Sequence, residues 1–194
     1  METEPHDALD RQDMARLASG HDAALNDLMA RHAPRLFGYL LRQLQDEAGA
    51  EDMAQETFVR VFQNRHKFDP QHRFSTWLYT IATNLARSHH RWQSRHPQIS
   101  LEAENQFADG GLKDRLPAAQ SNPAESLDAA ERADAVREAV AALPEELRAP
   151  LVLAEYEDRS QKEIAVILNC TPKAVEMRIY HARQQLRESL AKFF

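Results

Sequence analysis

Apolar residues recur at helical spacing along almost the whole chain, and this pattern is lost for a long stretch only between residues 97 and 122. The spacing predicts amphipathic helices over residues 22–44, 50–65 and 75–92, and again from residue 123 to about residue 156. No segment alternates apolar and polar residues as a half-buried strand does. The sequence therefore predicts an all-α protein.

The interrupted stretch predicts two small helical domains joined by a flexible linker. Residues 97–122 contain several Pro and Gly residues and are longer than an ordinary loop, which favours a linker. The N-terminal domain is then residues 1–96, and the C-terminal domain is residues 123–194. Residues 1–20 carry no diagnostic pattern, and we expect either a frayed arm or the start of the first helix. Pro34 is expected to bend the helix predicted over residues 22–44 or to divide it in two.

The net charge of −6 over 194 residues argues, taken alone, against a simple basic nucleic-acid binder. The charge is unevenly distributed, however. Residues 60–95 carry seven bases and one acid, a balance of +6, whereas residues 97–142 carry four bases and nine acids, a balance of −5. The only cysteine, Cys170, excludes an intramolecular disulfide. Neither a secretory signal nor a membrane span of about 20 apolar residues is present, so we expect a cytoplasmic protein.

The C-terminal domain has the pattern of a helix-turn-helix. Ser160 and Glu163 have capping-box spacing, Asn169 tolerates the left-handed turn, and Thr171 with Pro172 begins a second helix. In DNA-binding proteins with this motif the second helix reads the major groove, although a plain helical hairpin with a solvated face remains an alternative. The candidate DNA-contacting residues on or beside its outer face are Thr171, Lys173, Glu176, Met177, Arg178, Tyr180, His181 and Arg183.

The helix predicted over residues 50–65 has one acidic side. Asp52, Gln55, Glu56 and Arg60 fall together at 100° per residue, opposite an apolar side that includes Phe58. Such a patch is most often an ordinary solvated face. The alternative is that it docks a basic partner.

Basic and aromatic residues are interleaved between residues 67 and 92. Unpaired bases stack on aromatic side chains while cations follow the phosphate backbone, so this pattern favours single-stranded nucleic acid. Trp77 and Tyr79 could instead pack in the core. The candidate residues are Lys67, Phe68, His72, Arg73, Phe74, Ser75, Trp77, Asn84, Arg87 and Arg91.

Five histidines lie in the same region and raise the question of a metal site. They are His66, His72, His89, His90 and His96. No pair has the acidic companion of a HExxH motif, and adjacent helical residues point about 100° apart. We therefore expect no metal, no cofactor and no catalytic residues, and the alternative is a helical metal-dependent enzyme.

Three motifs, in this order, resemble the extracytoplasmic-function (ECF) group of bacterial RNA polymerase sigma factors. Residues 50–62 are similar to the family's polymerase-binding helix, and residues 74–84 to its segment that reads and melts the −10 element. Residues 143–190 are similar to its −35 domain. The resemblance implies a sigma factor that binds core polymerase, recognises both promoter elements and helps to melt DNA. The alternative is a two-domain helix-turn-helix regulator that never joins polymerase.

The resemblance also implies partners for these motifs. Asp52, Gln55, Glu56 and Arg60 would contact the β′ clamp helices, the C-terminal domain would reach the β flap, and an anti-sigma factor would hold the protein inactive. Asn84 and the loop before it would capture a −10 base. The resemblance thus makes the ten nucleic-acid candidates from Lys67 to Arg91 the candidate −10 residues, and it makes the candidates of the helix-turn-helix the candidate −35 residues. The acidic linker would lie along the RNA exit path. Family members often carry basic residues at the positions of Glu176 and His181. The −35 preference therefore cannot be copied from relatives.

Overall fold

The computed structural model describes residues 6–95 and 123–192, and every regular element in these two ranges is a helix, which confirms the all-α prediction. The N-terminal module contains α1 (Asp7–Ala18), α2 (Ala24–Leu44), α3 (Glu47–Gln63), a single 3-10 turn (Arg65–Lys67) and α4 (Phe74–Arg95). The C-terminal module contains α5 (Pro123–Ala142), α6 (Glu145–Glu155), α7 (Gln161–Leu168) and α8 (Pro172–Leu190). The predicted linker, residues 97–122, lies outside the described residues.

Three helices, α2, α3 and α4, form the core of the N-terminal module. Tyr39 and Leu40 of α2 pack with Phe58 of α3 and Leu78 of α4, and all four are buried. The helix α2 runs through Pro34 without a break, so the division of this helix that the sequence allowed does not occur. Pro34 is exposed, and water can therefore satisfy the carbonyl group that its missing N–H leaves unpaired.

Residues 7–18 form a separate helix. The expectation that residues 1–20 are a frayed arm or the start of the helix over residues 22–44 is therefore wrong over the described part. The helix α1 ends before Gly20, whose φ of +94° lies in the left-handed region that favours glycine. The buried side of α1 carries three aspartates beside Met14 and Leu17 of the core. Arg31 of α2 binds Asp10 at 2.9 Å and Asp13 at 2.5 Å, and His32 lies 2.9 Å from Asp10. Tertiary ion pairs therefore hold this helix in place together with the burial of Met14 and Leu17.

The two modules pack against each other. In the C-terminal module Val152, Ile164, Val175 and Ile179 are buried together. The helix α7 lies against α4, and α6 lies against α2, so the two apolar cores are continuous. This placement brings the turn between α6 and α7 onto the helix that carries most of the candidate −10 residues.

Candidate polymerase and nucleic-acid interfaces

The acidic side of α3 faces solvent. Asp46 caps the helix by accepting a hydrogen bond from the backbone N–H of Gly49 at 3.1 Å, which fixes where the helix begins. Asp52 and Gln55 are exposed, and Glu56 is half-buried and accepts a hydrogen bond from exposed Arg60 at 2.8 Å. The four candidate residues therefore form one surface, which we call the acidic face of α3.

The loop before α4 and the start of α4 form an aromatic cluster. Phe74 is fully buried, and the ring centroids of Phe68 and Trp77 lie 6.1 and 6.3 Å from it. Phe68 and Trp77 also contact each other at 5.4 Å, and both are half-buried. Lys67 and His72 are exposed beside this cluster. Phe74 does not reach the surface, so in this structure it supports the two neighbouring rings and presents no stacking face of its own.

Two other candidate −10 residues, Arg73 and Ser75, make contacts with other parts of the chain. The guanidinium of Arg73 binds Asp7 of α1 at 3.0 Å and Glu163 of α7 at 3.1 Å. The hydroxyl of Ser75 is buried and accepts a hydrogen bond from Arg159 at 2.9 Å. The structure thus places both residues between the two modules and not on a free surface.

A buried hydrogen bond joins the modules beside these contacts. The hydroxyl of Tyr79 donates to Glu157 at 2.5 Å. Burial raises the pKa of Glu157, although this hydrogen bond and the nearby Arg35, Arg42 and Arg159 oppose the shift. Burial and the charge of Glu157 also raise the pKa of Tyr79. The position of Tyr79 confirms that it packs in the core.

The second half of α4 presents a polar and basic stripe. Asn84 is exposed, and Arg91 is exposed and bonded to the Arg87 carbonyl and to Ser88. Arg87 is half-buried and pairs with Glu145 of α6 at 3.4 Å. Of the candidate −10 residues on α4, Asn84 and Arg91 are therefore the most accessible.

The helix-turn-helix forms as its local sequence predicts. Ser160 and Glu163 make a complete capping box, and Asn169 ends α7 with a φ of 50°. The side chain of Thr171 accepts a hydrogen bond from the N–H of Ala174 at 3.1 Å, and Pro172 is the first residue of α8. Caps of this kind satisfy backbone groups that a helix leaves unpaired at its ends.

The outer face of α8 is open to solvent. Lys173 and Glu176 form an ion pair of 2.9 Å on it, and Arg183 is held by Glu155 of α6 at 2.5 Å. Arg178 is half-buried beside the face. The remaining candidates are all exposed, and they are Thr171, Met177, Tyr180 and His181.

Of the histidines between residues 66 and 96, His72 lies 3.1 Å from the carboxylate of Asp69. No group of three or more potential metal ligands occurs within the described residues. His90 contacts the backbone carbonyl of Gln43 at 3.1 Å, His66 and His72 are exposed, and His96 lies outside the described residues. Among the helices that the structure describes, none has the length and apolar character needed to cross a membrane.

Comparisons with known proteins agree with this arrangement. Residues 28–96 match the family model of sigma-70 region 2, and residues 133–186 match that of sigma-70 region 4. The chain is 31% identical over 176 residues to the ECF RNA polymerase sigma factor SigW of Bacillus subtilis, covering 90% of this chain and 93% of the relative. The chain belongs to the extracytoplasmic-function group of RNA polymerase sigma factors. It is therefore a subunit of transcription initiation that binds polymerase and recognises promoters, in a family of initiation factors rather than enzymes.

Solved structures share the fold of this sigma factor. CnrH, in its complex with the cytosolic domain of CnrY, superposes with a TM-score of 0.67 at 28% identity, covering 94% of this chain and 97% of CnrH. The sigma factor RpoE of Bartonella quintana, in complex with the anti-sigma factor NepR, superposes with a TM-score of 0.64 at 21% identity, covering 86% and 96% of the two chains.

The region boundaries place the surfaces of the sigma factor. Region 2 contains most of α2 and all of α3 and α4, and hence the acidic face of α3 and the aromatic cluster. Region 4 contains the helix-turn-helix, all of α6 and the second half of α5. The helix α1 lies before region 2, and it nevertheless contributes Asp7 to the ion pairs of Arg73.

Sequence reasoning missed two features of the sigma factor. Val59 is 46% exposed on α3, and its position seven residues after Asp52 puts it on the acidic face. That spacing was readable from the sequence. Glu157 and Arg159 gave no such signal, because charged residues in a short turn are usually solvated.

Proposed function

We propose that three separate surfaces of this sigma factor divide the work of initiation. The acidic face of α3 docks on core polymerase, the loop before α4 and the exposed part of α4 bind the −10 strand, and the outer face of α8 reads the −35 element. The observation that carries this proposal is the acidic face itself, exposed around Val59 and distinct from both basic surfaces. In the alternative, a regulator that never joins polymerase, the same face would be an ordinary solvated surface, and charge reversal distinguishes the two.

The −10 surface comprises side chains that can reach a DNA strand. Phe68 and Trp77 offer half-exposed rings for base stacking, and Lys67 and Arg91 supply positive charge along the backbone. Asn84 can donate to and accept from the edge of an unstacked base. We assign Phe74 a supporting role, because its ring lies beneath the other two.

The −35 surface is the exposed side of α8. Lys173 and Glu176 lie in its first turns, where helix-turn-helix proteins contact base edges. Arg178 and Arg183 lie at its margin and suit phosphate contacts, which position the protein without specifying sequence.

Charge reversal on α3 tests the docking surface. In the variant Asp52→Lys/Glu56→Lys we expect binding to core polymerase to weaken by at least about tenfold, because like charges then face a basic partner. A matched control reverses two exposed acids of α5, Glu131→Lys/Asp134→Lys, and should leave binding to core polymerase nearly unchanged. Binding to duplex −35 DNA should be the same in the α3 variant and the native chain. Full retention of polymerase binding in the α3 variant would contradict the assignment.

We also propose that an anti-sigma factor regulates the protein in the cytoplasm, where polymerase and chromosome are found. The complexes of CnrH with CnrY and of RpoE with NepR support this proposal. Affinity purification of the tagged chain from its native cell, without the inducing stress, should recover a partner at one-to-one stoichiometry. Recovery of core polymerase alone under those conditions would argue against it.

A further inference from the structure

A histidine of α2 connects the buried acids of α1 to the aromatic cluster. The Nε2 atom of His32 lies 2.9 Å from the carboxylate of Asp10, and the ring centroids of His32 and Phe74 lie 5.1 Å apart. A carboxylate only accepts hydrogen bonds, so Nε2 of His32 is the donor. The hydrogen bond therefore fixes the orientation of the imidazole ring that packs against Phe74.

Asp10 uses both of its carboxylate oxygens in tertiary contacts. One oxygen accepts a hydrogen bond from Nε of Arg31 at 2.9 Å, and the other accepts the hydrogen bond from His32. Asparagine has the same shape but only one acceptor oxygen, and its NH₂ group would face a second donor. Asp10→Asn therefore disturbs this arrangement without changing the size of the side chain.

The helix α1 also contacts the loop before α4 at both ends of the loop. Where the loop begins, α1 packs against the 3-10 turn Arg65–Lys67, and where it ends, Arg73 lies 3.0 Å from Asp7. The loop carries Phe68, which forms the half-buried ring pair of the aromatic cluster with Trp77. The position of these two rings thus depends on elements that present no candidate DNA contact of their own.

We propose that Asp10 and His32 are positioning residues for −10 binding. Asp10 orients the ring of His32, and His32 fixes the position of Phe74. The two rings that rest on Phe74, those of Phe68 and Trp77, are then held where −10 bases can stack. This role rests on the proposed −10 function of the aromatic cluster. Because stacking on one aromatic ring contributes about five- to hundredfold to affinity, a displaced ring pair should weaken −10 binding roughly three- to tenfold.

Tryptophan fluorescence of the free full-length chain tests the positioning without DNA. The chain has two tryptophans, so a Trp92→Phe background leaves Trp77, inside the aromatic cluster, as the only reporter. We expect Asp10→Asn and His32→Phe to change the emission maximum of Trp77 and its quenching by acrylamide. His32→Phe keeps a ring beside Phe74 and removes only the hydrogen bond to Asp10.

The matched control is Asp13→Asn. Asp13 is buried on the same side of α1, and its carboxylate binds Arg31 at 2.5 Å and Arg16 at 2.9 Å. Its replacement should lower the free energy of unfolding, measured in urea, but leave the emission of Trp77 unchanged. Equal changes of emission in Asp13→Asn and Asp10→Asn would overturn the positioning role, and so would native emission in either Asp10→Asn or His32→Phe.

Binding of a forked promoter by the reconstituted holoenzyme tests the consequence for −10 recognition. The probe is a fluorescent promoter fragment from a gene whose transcript rises on overexpression of this chain, with its −10 non-template strand left single-stranded. We expect Asp10→Asn and His32→Phe to weaken fork binding roughly three- to tenfold and Asp13→Asn to weaken it less than about twofold. A duplex probe that ends upstream of the −10 element should bind all three variants alike.

A double-mutant cycle separates positioning from a general loss of stability. If Asp10 acts through His32, Asp10→Asn adds nothing to the loss of fork binding once His32→Phe is present. Additive losses, or equal losses with the fork and the upstream duplex, would overturn the proposal. Phe68→Ala removes a stacking ring and tests the −10 function by itself. Native fork binding in Phe68→Ala would contradict the −10 assignment, while the emission of Trp77 still decides whether Asp10 and His32 position the cluster.

Discussion

The ammonium group of Lys173 lies 2.9 Å from the carboxylate of Glu176, one turn apart on the exposed face of α8. The carboxylate of Glu176 would be repelled by DNA phosphates, and the positive charge of Lys173 offsets this repulsion. Lysine donates to guanine O6 and N7 in the major groove, and glutamate accepts from cytosine N4. The pair is therefore suited to G·C base pairs in the −35 element.

Replacement of Glu176 should relax the sequence preference at one −35 position. Without the carboxylate, Glu176→Ala should lose about 1–3 kcal/mol of discrimination in favour of cytosine, while overall affinity changes less. Binding of the holoenzyme to a library of −35 variants measures this preference. Glu188→Ala, an exposed acid farther along α8, is the control. An unchanged preference at every position in Glu176→Ala would refute the assignment.

Loss of Asp10 should undock α1. This carboxylate is 1% exposed and binds both Arg31 and His32, so Asp10→Ala leaves partly buried cations unpaired. We expect the free energy of unfolding to fall by about 3 kcal/mol. Urea unfolding measures the change. Asp27→Ala removes an exposed ion pair with Arg16 and should change stability by less than about 1 kcal/mol; equal effects of the two variants would show that α1 is not held by its buried acids.

Truncation of Phe74 should destabilise the whole N-terminal module. Its ring is 0% exposed beneath Phe68 and Trp77, and Phe74→Ala should cost about 3–5 kcal/mol because a cavity remains. Phe68→Ala should cost less, since that ring is half-buried, and should weaken single-stranded DNA binding more than stability. Chemical unfolding measures the stability of each variant, and fluorescence anisotropy measures its binding to single-stranded DNA. A Phe68 variant with reduced stability and native DNA affinity would contradict these roles.

The contribution of Glu163 to stability should disappear in acid. Burial alone would raise the pKa of this carboxyl, but hydrogen bonds from Ser160 and the charges of Arg73 and Arg159 outweigh it and hold the pKa below its ordinary value of 4.5. A carboxyl with a lowered pKa in the folded state stabilises the fold above its ordinary pKa, and this stability is lost as the pH falls through the folded value.

The comparison of Glu163→Gln with the native chain measures this effect. The variant should be less stable at pH 7, and the difference should shrink as the pH falls below 4.5. Glu157, whose pKa is raised, changes stability in the opposite direction, but it is present in both proteins and cancels in the comparison. Urea unfolding at several pH values provides the free energies. A difference that stays constant down to about pH 3 would disprove the lowered pKa.

The helices and the helix-turn-helix were predictable because their signals are local. A helix begins where a side chain such as Ser160 or Thr171 can accept a bond from an N–H three residues ahead, and it buries the residues that recur every turn. The exposed face of α8 follows from the same periodicity. The helix α1 was harder to predict, because its buried side mixes Met14 and Leu17 with aspartates whose burial depends on tertiary contacts with Arg31, His32 and Arg73.

The sequence by itself determined an all-α chain with a capped helix-turn-helix and an acidic face on α3, since these depend on residues a few positions apart. Only the tertiary structure decided that Arg73 and Ser75 lie between the modules and that Glu157 is buried on Tyr79. Those contacts join residues about 80 positions apart, such as Ser75 and Arg159. No local pattern encodes whether such charges meet water or each other. Their pairing depends on how the two modules pack, and that packing covers part of the −10 surface.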